Sequence, residues 1–277
     1  MTQNAAPLCV TTGVNGRPEI QERARQLAHE LGAVYYTREK RNIPEVLTAT
    51  GANRVLVVTH TKLVLRERNT DFEYAFHPNL AMLRGYNVTR GWRDLYVEAA
   101  ALQPGESVLD CTLGFAGEAA LAALMVGELG TVVGLESVPE LAAVTRDGVS
   151  RFELEPKVLE DAMRRIQVVT ADYRDYLRQA PDSSFDLVYF DPFFDERLPG
   201  SENSVSPLAL FGNSEPLDPA SIHEARRVAR RRVVIKHPRH EPLPPEIESL
   251  VMESVTGRKS RVVYKILPAV EDPIAGV

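Results

Sequence analysis

Cysteine is scarce in this chain of 277 residues, which contains only Cys9 and Cys111. Two cysteines cannot form a multi-disulfide framework, and the sequence has no CxxC pair that would indicate a zinc site. The N-terminus lacks the basic and apolar regions of a signal peptide, and no apolar run reaches the roughly 20 residues that span a bilayer. These absences predict a cytoplasmic protein with no metal centre and no membrane partner.

Positive charge is not in excess either. The formal net charge is −6 at pH 7, which excludes a uniformly basic protein that coats nucleic acid but leaves room for a local basic face. Hydrophobic residues make up 44% of the chain, which is enough for a substantial core. The length allows one large domain together with a small one.

The dinucleotide-binding pattern GxGxxG is also absent, which argues against an NAD-dependent oxidoreductase. The strand–turn–helix sequence SVLDCTLGFAGE (107–118) has only Gly114 and Gly117, and Asp110 ends its strand. A carboxylate at this point repels a pyrophosphate and favours a cation. S-adenosylmethionine carries an ammonium and a sulfonium but no phosphate, so we predict that this turn binds it, with Gly114 allowing close approach of the backbone.

Strand and helix signals alternate from Ser107 to the C-terminus. Continuous apolar strands separated by helices predict an α/β, Rossmann-like fold with a mostly parallel sheet covered on both faces. The predicted strands are SVLDCT, TVVGLES, IQVVTAD, FDLVYFDP, RRVVIKHP and RVVYKIL. Ligands bind at the carboxyl ends of such strands. Four acidic residues are expected there: Asp110, Glu136, Asp172 and Asp191.

The first part of the chain has a different pattern. Short strands and helices alternate over residues 8–76 and predict a small α+β domain covering residues 1–85. Residues 77–92 carry several turn signals and are expected to join this unit to a second domain, residues 86–277.

Two of the strand-end acids have specific expected roles. Glu136 can accept hydrogen bonds from both ribose hydroxyls of the donor, and Asp172 can accept from its adenine amino group. The alternative for either residue is a solvated turn or a helix cap.

The sequence FDLVYFDPFF (185–194) predicts the acceptor side of the site. The carboxylate of Asp191 and the carbonyl of Pro192 can each accept one hydrogen of an exocyclic NH₂ group, which turns the nitrogen lone pair toward the methyl group. Phe193 and Phe194 can stack on a base, or they can form a hydrophobic plug. The long segment 195–216 is a candidate substrate loop.

Basic residues are concentrated near the fifth predicted strand. The sequence leaves two alternatives for them: a phosphate-binding face, or a solvated helix end with salt bridges. Lys236 is distinct because it lies near the tip of an apolar strand, and we expect it to contact substrate. The other basic residues between 226 and 239 are Arg226, Arg227, Arg230, Arg231, Arg232 and Arg239.

An ordered set of motifs gives a specific resemblance: D-C-T-L-G (110–114), L-E (135–136), V-Y-F-D-P-F-F (188–194), L-D-P (217–219) and R-R-V-V-I-K-H-P (231–238). The set resembles the RsmJ (YhiQ-like) family of class I methyltransferases, which methylate the exocyclic amine of a guanine in small-subunit ribosomal RNA. The resemblance covers about 170 residues from Ser107 onward. It implies an S-adenosylmethionine-dependent enzyme with RNA as substrate.

The resemblance also implies cofactor contacts, by position. These are Gly117, Glu118, Glu136, Ser137, Asp172 and Asp191, in addition to the turn residues Asp110, Thr112 and Gly114. Two departures affect the implied RNA target. Gly117-Glu118 replaces an Arg-Asp pair of the family, and Asp172-Tyr173 replaces two small hydroxyl residues.

Two other functions stay open at this point. One is a methyltransferase that acts on a small molecule or a protein, which the acidic net charge allows. The other is a non-catalytic protein that binds RNA or senses the cofactor. Asp191 argues against the second, because a degenerate site has no reason to keep a carboxylate, a proline and aromatic residues together.

Overall fold

The computed structural model describes residues 8–78, 80–192 and 216–270, and these form two β-sheets flanked by helices. The first sheet has the strand order β2-β1-β3-β4-β5, with β1 to β3 parallel and β4 and β5 antiparallel. Its elements are β1 (Leu8–Thr12), α1 (Pro18–Glu30), β2 (Val34–Tyr35), α2 (Ile43–Thr50), β3 (Arg54–Val58), β4 (Leu63–Glu67) and β5 (Glu73–Ala75).

The second sheet has seven strands in the order β11-β12-β10-β9-β6-β7-β8. Strands β6 to β10 run parallel and β12 is antiparallel to both of its neighbours, which confirms the predicted α/β fold with a mostly parallel sheet. The strands are β6 (Ser107–Asp110), β7 (Thr131–Glu136), β8 (Ile166–Thr170), β9 (Phe185–Phe190), β10 (Ala229–Pro238), β11 (Glu253–Thr256) and β12 (Val262–Pro268).

Helices cover this sheet and connect it to the first one. They are α3 (Leu80–Thr89), α4 (Leu95–Ala100), α5 (Gly117–Val126), α6 (Pro139–Arg151), α7 (Lys157–Met163), α8 (Tyr173–Gln179), α9 (Pro219–Val228) and α10 (Pro245–Glu248). Among the helices of the described segments, none combines the length and the apolarity needed to cross a bilayer.

Three elements differ from the sequence prediction. The segment 77–92 is not a run of turns, because α3 occupies most of it. Its Gly85, which signalled a turn, lies inside the helix, and a Cβ placed there would come within 2.5 Å of the Leu159 side chain. The sequence also missed α7 and the edge strand β11, where only Val255 is buried.

The two sheets share one hydrophobic core through helix α6. Apolar residues of both sheets belong to the same buried cluster, among them Leu65 and Tyr74 of the first and Val108 and Leu187 of the second. At the contact, Gly148 of α6 lies against Phe76, and a Cβ on this glycine would come within 1.9 Å of the Phe76 ring. The N-terminal unit is therefore closely packed against the helix that follows β7.

We expect Gly148→Ala to destabilise the protein although alanine is the better helix former. The added methyl group has no space against Phe76, and overpacking of this kind costs about 1–3 kcal/mol, more than the gain of up to about 1 kcal/mol in helix propensity. The free energy of unfolding in urea measures the change. Gly13→Ala is the matched control, because among the described residues no atom lies within 4 Å of a Cβ placed there. A stability of Gly148→Ala equal to that of the control would contradict the tight contact.

Candidate active site

The carboxyl ends of β6, β7, β8 and β9 meet at one edge of the second sheet. Asp110 pairs in register with Gly134 and with Tyr189, and Glu136 pairs with Thr170. The parallel register places the four acids predicted from sequence along one edge, since each stands at the end of its strand or just beyond it. Phe193, Phe194 and all of the segment 195–216 except Pro216 lie outside the described residues.

The turn after β6 links the predicted donor and acceptor sides. Asp110 is buried, and its Oδ1 accepts a hydrogen bond from the Thr112 backbone N–H at 3.0 Å. The Thr112 hydroxyl accepts from the Asp191 backbone N–H at 2.6 Å, so it connects the tips of β6 and β9. Gly114 has a left-handed φ of +49°, a conformation that favours glycine. No described atom lies within 4 Å of a Cβ placed on Gly117, which leaves open space beside the turn.

Residues of the N-terminal unit and of α6 brace this turn. Tyr74 of β5 stacks on Phe115, with ring centroids 4.8 Å apart and an interplanar angle of 14°. Thr145 of α6 donates a hydrogen bond to the Gly114 carbonyl at 2.8 Å, and the Tyr74 hydroxyl lies 3.4 Å from the same threonine. Sequence reasoning missed these residues, because they lie in other elements and carry no motif.

Glu136 and Ser137 form the tip of β7. The Glu136 Oε1 accepts from the Val138 N–H at 2.9 Å, and the Ser137 backbone N–H also bonds this carboxylate. Burial raises the pKa of Glu136 to about 7, in spite of these two hydrogen bonds.

Asp172 is the N-cap of α8, which is one of the two alternative roles given for it from the sequence. Its Oδ1 accepts from the Arg174 backbone N–H at 2.7 Å, and its Oδ2 lies 3.3 Å from the Arg174 guanidinium. A contact between Asp172 and the adenine of the donor therefore stays a prediction.

Lys236 is the direct partner of the predicted catalytic carboxylate. Its Nζ donates to Asp191 Oδ2 at 2.7 Å and lies 3.5 Å from Glu118 Oε1. Burial raises the pKa of Asp191 to about 6, against the opposing effect of the Lys236 charge. Burial alone would lower the pKa of Lys236, but Glu118 and Asp191 together raise it well above its usual range. Asp191 and Lys236 thus form an ion pair at neutral pH, next to Pro192.

A chain of alternating charges extends from this pair to the cap of helix α4. Arg84 of α3 donates to Glu118 at 2.7 Å and forms a bidentate pair with Asp94 at 2.8 and 3.0 Å. The Tyr264 hydroxyl lies 3.4 Å from the same Glu118 oxygen. Burial would raise the pKa of Glu118, but Lys236 and Arg84 outweigh burial and lower it. Arg84, Asp94 and Tyr264 were not identified from the sequence.

The other basic residues between 226 and 239 do not form an open phosphate-binding face. Each has a protein acceptor, which favours the salt-bridge alternative. Carboxylate partners are Glu224 and Asp182 for Arg227, Asp186 for Arg230 and Glu106 for Arg231, whereas Arg226, Arg232 and Arg239 bond backbone carbonyls.

The residues at this edge fit S-adenosylmethionine chemically. Asp110 and Glu136 offer carboxylates to a cationic, hydroxyl-bearing ligand, and Gly117 leaves open space beside the turn. Burial raises the pKa of Asp110 to about 8, and a bound cation would favour its ionised form. When bound, S-adenosylmethionine supplies an electrophilic methyl group.

We expect donor binding to release protons near neutral pH. Asp110 and Glu136 have pKa values of about 8 and about 7, and a cationic ligand binds best when both are ionised. Affinity should therefore fall as the pH drops from 7.5 to 6, and the fall should approach about tenfold per pH unit for each group once the pH lies below the pKa of that group. Calorimetric titration in buffers of different ionisation enthalpy counts the protons released. Glu136→Gln should reduce that count, and a count of zero in the parent protein would contradict the assignment.

Comparison with known proteins gives three consistent findings. The profile of the SAM-dependent methyltransferase family SAM_MT matches residues 41–265. The uncharacterized protein YpiP of Bacillus subtilis (strain 168) is 36% identical over 227 residues, which cover 82% of this chain and 87% of that protein. Ribosomal RNA small subunit methyltransferase J of Laribacter hongkongensis (strain HLHK9) is 34% identical over 135 residues, 48% of this chain and 46% of the relative.

A solved structure agrees in fold with almost the whole chain. The SAM-dependent methyltransferase NGO1261 from Neisseria gonorrhoeae superposes with a TM-score of 0.60 and 18% sequence identity. The superposition covers 95% of this chain and 97% of the other. At this identity the likeness shows the fold, which includes the first sheet as well as the second.

Proposed function

This chain belongs to the SAM-dependent methyltransferase family, and from that premise we propose that it methylates the exocyclic amine of a guanine in small-subunit ribosomal RNA. Its cofactor is S-adenosylmethionine. The observation that carries the proposal is the pair formed by Asp191 and Lys236 at the tip of β9, beside the donor turn.

The pair matches the hydrogen-bonding groups of guanine. The guanine edge offers N–H donors at N1 and N2 and an acceptor at O6. Asp191 can accept from the donors, and the Lys236 ammonium can donate to O6 from the same end of the sheet. Adenine and cytosine present an amine beside a ring acceptor, so they can bond both Asp191 and Lys236 but offer no ring N–H as a second donor to the carboxylate.

Residues of the chain can orient the guanine amine and can accept the proton that it loses. Asp191 and the Pro192 carbonyl accept the two amine hydrogens, which directs the nitrogen lone pair away from them and toward the methyl carbon. Bound S-adenosylmethionine would supply the methyl group to this nitrogen and would keep the electron pair of the methyl–sulfur bond on its sulfur. The nitrogen gains a positive charge and loses one proton, which Asp191 or water accepts.

The RNA substrate is supported by the relatives. Ribosomal RNA small subunit methyltransferase J of Laribacter hongkongensis matches through about half of its length, and a protein of the same name from Dechloromonas aromatica (strain RCB) is 32% identical over 177 residues. The internal pairing of the arginines between 226 and 239 favours the second candidate, a small-molecule acceptor, because it removes the most obvious phosphate-binding face.

A transfer assay separates the two candidates. The protein is incubated with methyl-labelled donor and, in separate reactions, with small ribosomal subunits from cells that lack this enzyme, with tRNA and with a metabolite extract. We expect label in the ribosomal RNA, recovered as a methylated guanosine after nuclease digestion. Label that enters only the small molecules would refute the RNA proposal and establish the alternative.

A further inference from the structure

Helix α3 and the loop that follows it carry an unusual group of exposed side chains. Trp92 is 66% exposed, Leu83 57% and Tyr86 40%. The Arg90 guanidinium lies 4.2 Å from the centroid of the Tyr86 ring. We call Leu83, Tyr86, Arg90 and Trp92 the α3 surface.

We propose that the α3 surface binds the single-stranded RNA that flanks the target nucleotide, through stacking of bases on Trp92 and Tyr86. This inference rests on the proposed function and adds a substrate-binding surface to it. Exposed aromatic rings next to arginine form stacking platforms that tolerate any base, since every base has a π-face. Arginine adds a cation that can contact the phosphate or stack on the base.

The charge of Arg90 supports RNA as the ligand of the α3 surface. In the described ranges, no carboxylate lies within ion-pair distance of the Arg90 guanidinium, whereas the arginines between 226 and 239 are bound to protein acceptors. A cation that is exposed, stacked on an aromatic ring and without a carboxylate partner is suited to an anionic polymer. The exposed apolar residue Val34 also lies next to a tyrosine with a stacked arginine, but that arginine, Arg25, is paired with the Glu22 carboxylate.

Helix α3, which carries part of the α3 surface, is connected to the acceptor site through a neighbouring residue, Arg84. Arg84 lies two residues before Tyr86 on the same helix and donates to Glu118, which lies 3.5 Å from the Lys236 ammonium that binds Asp191. Arg84 also holds Asp94, two residues after Trp92. The helix and the loop that carry the α3 surface are therefore attached, through Arg84 and Asp94, to the network that reaches the catalytic carboxylate.

The intrinsic fluorescence of Trp92 reports on the α3 surface directly, because Trp92 is the only tryptophan of the chain. Titration with a 12-nucleotide single-stranded RNA containing one guanine should quench its fluorescence, and a blunt RNA duplex of the same length should quench it much less. Trp92→Ala and Tyr86→Ala should each raise the KM for RNA and the Kd for the fluorescein-labelled oligonucleotide by about 5- to 100-fold. The turnover at saturating RNA and the affinity for the donor should stay unchanged. A folding defect would lower both of them, so these two measurements distinguish it from a loss of RNA binding.

Two matched variants serve as controls. Leu129→Ala removes a side chain that is 90% exposed elsewhere. Arg25→Ala breaks a similar arginine–tyrosine stack, in which the guanidinium lies 5.0 Å from the Tyr35 ring centroid. Both should leave the KM for RNA unchanged, whereas Arg90→Ala should raise it and reduce the salt dependence of binding by about 0.7 in log–log slope.

The outcomes distinguish this inference from the proposed function. RNA methylation with an unchanged KM in Trp92→Ala and Tyr86→Ala would overturn the inference and leave the proposed function intact. Fluorescence that changes with protein concentration but not with RNA would identify the α3 surface as a contact between copies of the chain and would also overturn it. Label transfer to small molecules alone, without RNA binding by the parent protein, would refute both.

Discussion

Replacing Asp191 with asparagine should lower kcat by about a thousandfold, which is the upper range for loss of one preorganised electrostatic group. The substitution preserves the volume and one carbonyl oxygen, but it removes the charge that pairs with Lys236 and that can accept a proton. The affinity for S-adenosylmethionine should change only a few-fold, because Asp110 and Glu136 remain at the donor side. Single-turnover rates with labelled donor and calorimetric donor binding measure the two effects separately.

The matched control for this experiment lies at the opposite end of the same strand. Asp186 of β9 pairs with Arg230 and with Ser107, far along the strand from the active-site edge. Asp186→Asn should retain full turnover. If Asp191→Asn keeps more than about a tenth of the parent rate, a loss of less than 1.4 kcal/mol in transition-state stabilisation, Asp191 is not the group that orients the amine.

Replacing Lys236 with methionine should move the acid limb of the pH–rate profile to higher pH. In the parent protein the limb should fall near pH 6, because the pKa of Asp191 is about 6 and the carboxylate form is the active one. The variant loses the cation that favours this form and leaves Asp191 close to the Glu118 carboxylate. An opposite charge at this distance lowers a carboxyl pKa by about 1–3 units, so its removal should raise the limb by a similar amount.

The same variant should lose stability as the pH rises. A carboxyl group whose pKa is raised in the folded protein binds its proton more tightly there than in the unfolded chain. The contribution of Asp191 to stability is therefore largest below the unfolded pKa of about 4 and is lost as the pH rises through the folded pKa. Urea unfolding of Lys236→Met at pH 5 and at pH 8 measures this decrease.

Lys265→Met is the control for the lysine replacement. Lys265 lies on the neighbouring strand β12, in register with Ile235, and pairs with Glu248 instead of Asp191 or Glu118. Its loss should affect stability but should leave the acid limb near pH 6. An acid limb that stays in place in Lys236→Met as well would show that another group, not Asp191, controls the profile.

The structure places the strand-end acids where the sequence predicted them, because these positions depend on the local pattern of apolar and polar residues. Apolar runs of four to six residues, each followed by a polar residue, identify a strand and its end, and parallel connections then bring those ends to one edge. The helix within residues 77–92 was missed for the opposite reason. The turn signal at Gly85 is local, but helix α3 is stabilised by packing on α5 and α7.

The α/β class follows from the sequence alone, and the sequence also predicts the phosphate-free donor turn and the role of Asp191. Each of these depends on short motifs in which neighbouring residues specify the backbone and the chemistry. Only the tertiary structure decided which charges meet: Lys236 with Glu118 across 118 positions, and Arg84 with Glu118 across 34. It also decided that Arg227, Arg230 and Arg231 are bound internally. Such pairings depend on how distant elements pack, and the pattern of charges along a chain does not encode that packing locally.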